Sequence, residues 1–179
     1  MKMLALAMGG ALVLASPATA SVSNISANGF EVTQTVNLVV PAPQAYAAFT
    51  QLPRWWSKEH TYSGDSANIR FDPNLGGCFC ERWDKGSVEF MRVAYVVPGE
   101  QVLLRGALGP MLFEPVNATL DFKVERIAGG AKATLVYKAY GFSGGNAAEI
   151  APAVDAVLGD AMKRYRTYAA AAPKSSGAN

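Results

Sequence analysis

Between Asn146 and Ala170, apolar side chains recur every three or four residues: Ile150, Val154, Val157, Leu158, Ala161, Met162, Tyr165 and Tyr168. That spacing is the period of one helix face. Asp155, Asp160, Lys163, Arg164 and Arg166 fall mostly on the other faces. A helix of about 20–25 residues is roughly 30–36 Å long, enough to cross a small domain. Nearly everything between Phe30 and Phe142 reads instead as strand. One long one-sided helix after a run of strands predicts an α+β domain, with a sheet wrapped around a helix.

The first twenty residues stand apart from that domain. Lys2 gives a positive start, Met3 to Ala15 is apolar apart from two glycines, and Ala18-Thr19-Ala20 is a small-x-small cleavage site. This is the pattern of a secretory signal peptide cut after Ala20. The apolar run is shorter than the ~20 residues a spanning helix needs, so no stable membrane insertion is expected after cleavage. The expected location is periplasmic or secreted. About 159 residues then remain, a usual size for one domain. The chain carries 16 basic and 14 acidic residues, net +2, and losing Lys2 reduces this to +1. Neither the balance nor any basic run favours a nucleic-acid partner.

Export implies an oxidising compartment. The two cysteines, Cys78 and Cys80, are separated by one residue. In a regular strand their Cα atoms would be nearly 7 Å apart, the limit for a disulfide. Two free, buried thiols are therefore expected. Cys-x-Cys has no companion ligands and His60 is the only histidine, so no metal site is expected.

Along the chain, Ser21 to Gly29 is a polar leader. Phe30 to Val40 alternates as a first strand. Pro41 ends it, and Pro43 sits where a first helical turn tolerates proline. Short helices are expected at Gln44–Gln51 and Pro53–Lys58. Further strands follow at 67–71, 78–84, 88–97, 101–107, 117–126 and 131–142, separated by Gly, Pro and Asp turns. Residues 172–179 read as a disordered tail.

Three stretches carry a family resemblance. "VVPAPQAYAAFTQLPRWW" joins the opening strand to a helix entry and a tryptophan corner. "FDPNLGGCFCERW" is a Gly-Gly strand entry ending in a glutamate and an aromatic, and "VVPGEQVLLRG" is a proline turn between strands. Together they resemble the START-related SRPBCC superfamily, in its branch of heat-shock-protein ATPase activator homologues. The resemblance covers about 30–171. It implies a helix-grip fold: a curved seven-stranded antiparallel sheet, two short helices after the first strand, and the long C-terminal helix in the sheet's concave face. It also implies a cavity between sheet and helix that takes apolar or amphipathic small molecules, lipids among them. A minority of members are enzymes such as polyketide cyclases. One departure is Gly106, where the family pattern has a large aromatic.

A strongly curved sheet and one helix cannot meet along their whole length, so the wide end must be filled by large side chains or by a ligand. The candidate wall residues are Trp55, Trp56, Phe79, Trp83, Tyr95, Phe113, Phe122, Tyr137 and Met162, with Glu81 between the aromatics of its strand. On the strand from Cys78 to Asp84, Phe79, Glu81 and Trp83 are expected to face the cavity, because burying two aromatics outweighs burying two thiols. Glu81 is then either a buried carboxylate paired with Arg92 or Arg105, or a general acid or base. His60 is either a loop-packing residue or its catalytic companion. No nucleophile elbow, zinc helix or phosphate loop is present. The expectation is an exported, cofactor-free binding protein, a monomer or weak dimer. The alternative is a cofactor-free cyclase or hydrolase using Glu81 with His60 or an arginine.

Overall fold

The computed structural model describes residues 21–172. The expected signal peptide and most of the expected tail lie outside the described residues. Eight strands form one sheet: β1 (Ser21–Ser23), β2 (Gly29–Leu38), β3 (Ile69–Phe71), β4 (Cys78–Trp83), β5 (Gly86–Val97), β6 (Gln101–Gly106), β7 (Asn117–Ile127) and β8 (Gly130–Tyr140). Their order is β1-β2-β8-β7-β6-β5-β4-β3, and every neighbouring pair is antiparallel. The seven expected strands are present, and β1 is an eighth. It lies in the stretch read as a polar leader, and three residues are too few to show alternation. Its position is set by pairing to the free edge of β2, Val22 opposite Val32.

Between β2 and β3 lie two short helices, α1 (Ala42–Phe49) and α2 (Leu52–Trp55). Each has proline in its first turn, where the missing N–H costs nothing. The long helix α3 spans Ala147–Ala171, within a residue or so of its expected ends. Alternation does the rest. On β7, Ala118, Leu120, Phe122 and Val124 are buried while Lys123 and Glu125 are exposed. No helix among the described residues is long and apolar enough to cross a membrane.

The apolar stripe of α3 does two jobs. Towards its C-terminus, Leu158, Ala161, Met162, Tyr165 and Ala169 are buried in the core. Two polar contacts fix the rod along its length. Gln34 of β2, itself buried, donates from Nε2 to Asp155 Oδ1 at 2.8 Å. The Tyr165 hydroxyl donates to the Ala45 carbonyl at 2.8 Å. Around Tyr165, the rings of Phe49, Trp55 and Phe122 close this end of the molecule, with Phe49 stacked on Phe122 at 3.5 Å.

Burial raises the phenol pKa of both Tyr165 and Tyr137 well above the ordinary 10.0. The unfolded chain therefore loses these protons first. Their contribution is complete below about pH 10 and is lost as pH rises through the folded-state values, at about 1.4 kcal/mol per pH unit for each group. Urea midpoints should fall steeply between pH 10 and 11, and less so in Tyr137→Phe. A flat profile would show that these phenols are not buried.

Candidate functional site

Near its N-terminus α3 buries one small-residue row, Ala147 and Ala151, in the core. Ile150, Val154 and Val157 continue the apolar stripe but are only half-buried, because at the edge of the core they line a cavity of about 630 Å³. That volume is in the range of small-molecule sites. The floor is apolar: Trp56, Phe79, Phe90, Leu108, Met111 and Phe142 all line the cavity and are all buried. The rim is polar: Glu59, His60, Glu114, Asn146 and Glu149 line it and are exposed.

Two loops close the sides, and each is pinned from behind. The first, 57–63, follows α2. Ser57 is buried, and its hydroxyl accepts from the Glu59 amide. Trp56 Nε1 donates to the His60 carbonyl at 3.0 Å. Glu81, 0 % exposed, then reaches the loop from β4: its carboxylate accepts from the Tyr62 amide at 2.9 Å and the Ser63 amide at 2.6 Å. Two charge-assisted bonds to otherwise orphaned N–H groups offset the cost of burying the charge. The second loop, 107–116, carries a 3-10 turn at Gly109–Phe113. It is held by Tyr137, whose hydroxyl accepts from the Leu108 amide at 3.2 Å. The two loops meet where the Tyr62 hydroxyl donates to the Gly109 carbonyl at 3.1 Å.

The candidate residues therefore separate by position. Trp56 and Phe79 line the cavity, and His60 stands on its rim. Trp55, Phe122, Tyr137 and Met162 face inward but are packed in the core rather than on the cavity wall. Tyr95 and Phe113 are 50 % and 77 % exposed. Of the three β4 residues expected to face the cavity, only Phe79 lines it; Glu81 is buried against the loop behind the wall, and Trp83 is half-buried against Gly86 at the hairpin turn.

The expected partners of Glu81 are corrected as well. Arg92 pairs with Glu89 and donates to the Gly76 carbonyl at 2.7 Å, and Arg105 is exposed. Neither bonds Glu81. Both of its oxygens are engaged by backbone amides, and it does not line the cavity with His60.

The free thiols are a further correction: Cys78 and Cys80 are joined in a disulfide. The expectation assumed a regular strand. Pairing with β5 shifts register between Phe79 and Cys80, so that Phe90 is an extra residue in the ladder. At this irregularity the two Cα atoms lie 5.5 Å apart, inside the range a bridge needs. The burial alternation breaks here as well, leaving Phe79, Cys80 and Glu81 all buried. The sulfurs lie near a Glu89 oxygen, within 4.8 Å, but bonded to each other they are not thiolate ligands. Gly106 belongs to the same irregularity. Its φ of 149° and the adjacent Phe90 carbonyl leave no room for a Cβ, so the aromatic of the family pattern cannot stand there, and Phe90 lines the cavity.

Sequence reasoning missed the loop residues 108–111, the rim carboxylates, and the cavity-facing row of α3. Only the last left a signal: Ala147 and Ala151 run beside Ile150 and Val154, two apolar rows where one buried face needs one.

No model of a known protein family matches the chain, and no curated protein matches it in sequence. Solved structures do match. Protein CV1439 from Chromobacterium violaceum is similar at 15 % identity and TM-score 0.60, over 79 % of this chain and 98 % of that one. The Aha1 dimer from Colwellia psychrerythraea is similar at 16 % identity and TM-score 0.50, over 72 % and 90 %. DynU16, from the dynemicin biosynthetic locus, is similar at 15 % identity and TM-score 0.54, over 77 % of this chain and 46 % of its own. The fold is a helix-grip fold. At these identities the likeness concerns architecture alone.

Proposed function

We propose that this protein binds an apolar or amphipathic small molecule in the cavity between the sheet and α3, and does so after export. The observation that carries the reading is the turn of the α3 stripe. Ile150, Val154 and Val157 are half-buried at the edge of the core and line a space of about 630 Å³ floored by Trp56, Phe79, Phe90 and Phe142. Open apolar walls of this extent favour an occupant that removes them from water. The signal-like leader supports export, and a disulfide fits an oxidising compartment. The motif resemblance supports placement in the branch of heat-shock-protein ATPase activator homologues.

The test is native mass spectrometry of protein recovered from its own compartment, together with thermal melting in decanol. A co-purifying small molecule is expected, on a chain lacking residues 1–20. Decanol at a hundredfold its dissociation constant should add about 2.7 kcal/mol, a rise of about 5–10 °C for a domain of this size. A repeatedly empty protein that decanol does not stabilise would overturn the reading.

A further inference from the structure

The rim of the cavity has a chemistry of its own. Glu59 comes from the 57–63 loop, Glu114 from the end of the 107–116 loop, and Glu149 from the first turn of α3. Three elements far apart in sequence thus bring three carboxylates to one opening. None of them is in an ion pair among the described residues, whereas Glu31, Glu89, Glu125 and Asp160 all are. Among the described residues no lysine or arginine lines the cavity, and His60 is the sole basic side chain there. Arg164 senses Glu59, but it is bonded to Asp160 and lies off the lining.

Composition does not account for this. The chain as a whole is net +2, yet among the described residues this mouth carries three carboxylates and no lysine or arginine. The dipole at the start of α3 favours an acidic residue in its first turn, which explains Glu149 and leaves Glu59 and Glu114. Beneath the carboxylates the wall is apolar and aromatic, with the Tyr62 ring at the rim stacked on Phe90 at 5.8 Å. An apolar shaft with an anionic collar matches one class of molecule. Resting on the binding function proposed above, we propose that the occupant is a cationic amphiphile: an apolar body in the cavity and an amine or quaternary ammonium head among Glu59, Glu114 and Glu149. The same collar repels fatty acids and other anionic amphiphiles.

Three probes of equal chain length separate the possibilities: decyltrimethylammonium, decanol and decyl sulfate, titrated calorimetrically below their micellar concentrations. In low salt, decyltrimethylammonium should bind about tenfold more tightly than decyl sulfate, the sum of three modest solvent-exposed ion pairs, with decanol between. Raising the salt to 1 M should narrow the gap, since exposed charges are then screened within about 3 Å. In the triple variant Glu59→Gln, Glu114→Gln, Glu149→Gln the three probes should converge to within about twofold. Equal binding of all three to the native protein, tighter binding of decyl sulfate, or a preference that survives the triple variant or 1 M salt would overturn the inference and leave the binding function standing. If none of the three binds, decanol included, both fall.

Discussion

Met162→Asp is expected to lower unfolding stability by about 3–5 kcal/mol, the range of the most damaging single core substitutions. Met162 is 1 % exposed, on the stretch of α3 where Leu158, Ala161, Tyr165 and Ala169 are also buried. An aspartate there is charged and far from water, or protonated with a hydroxyl that needs an acceptor. Either state costs several kcal/mol. A domain of this kind has about 5–15 kcal/mol in total, so the variant should be folded only at low temperature or not at all. Urea denaturation measures it as a lower midpoint at unchanged slope. Lys163→Asp, one position on and exposed, is the control and should move stability by no more than about 0.5 kcal/mol. Equal midpoints for the two variants would show that the stripe does not face the core.

That stripe was the most legible feature of the sequence because its signal is long: eight apolar residues, Ile150 to Tyr168, in register over about five turns leave one arrangement. The β7–β8 hairpin was legible for the same reason, with alternation continuous on both sides of Gly129-Gly130. β1 was not, since three residues carry no period and only the edge of β2 makes them a strand. The disulfide was illegible because the Cα separation departs from that of a regular strand where the pairing with β5 shifts register, and no local pattern in "CFCERW" announces it.

The site was less legible than the fold, for a different reason. Alternation tells which side of a sheet a residue faces and says nothing about where along the strand the sheet and helix part. Phe122, Tyr137 and Met162 are inward, as the pattern implies, yet they sit where the layers touch. Phe79 is inward where they do not. The separation is set by the two loops, whose residues have no period to read. Glu81 shows the consequence. Its strand position placed it inward, but only the three-dimensional path of residues 57–63 shows what it faces.

Glu81→Leu should cost about 2–5 kcal/mol and open one wall of the cavity. The carboxylate supplies both acceptors for the Tyr62 and Ser63 amides. Leucine supplies none, and an amide left unsatisfied costs up to about 1–3 kcal/mol where water cannot replace the carboxylate; both bonds are part-buried. Glu81→Gln keeps one oxygen but turns a donor towards the other amide, so it should lose one bond rather than two and fall between wild type and leucine. The ordering separates this role from a catalytic one, in which glutamine would be as damaging to turnover as leucine while leaving the loop in place. Amide exchange is the direct readout. In Glu81→Leu the Tyr62 and Ser63 amides should lose protection, and His60, whose carbonyl is still held by Trp56 Nε1, should move less. Decanol affinity should fall in the same order as protection, because Thr61 and Tyr62 line the cavity that Glu81 itself does not reach. Wild-type exchange at both amides in the leucine variant would remove Glu81 from this role.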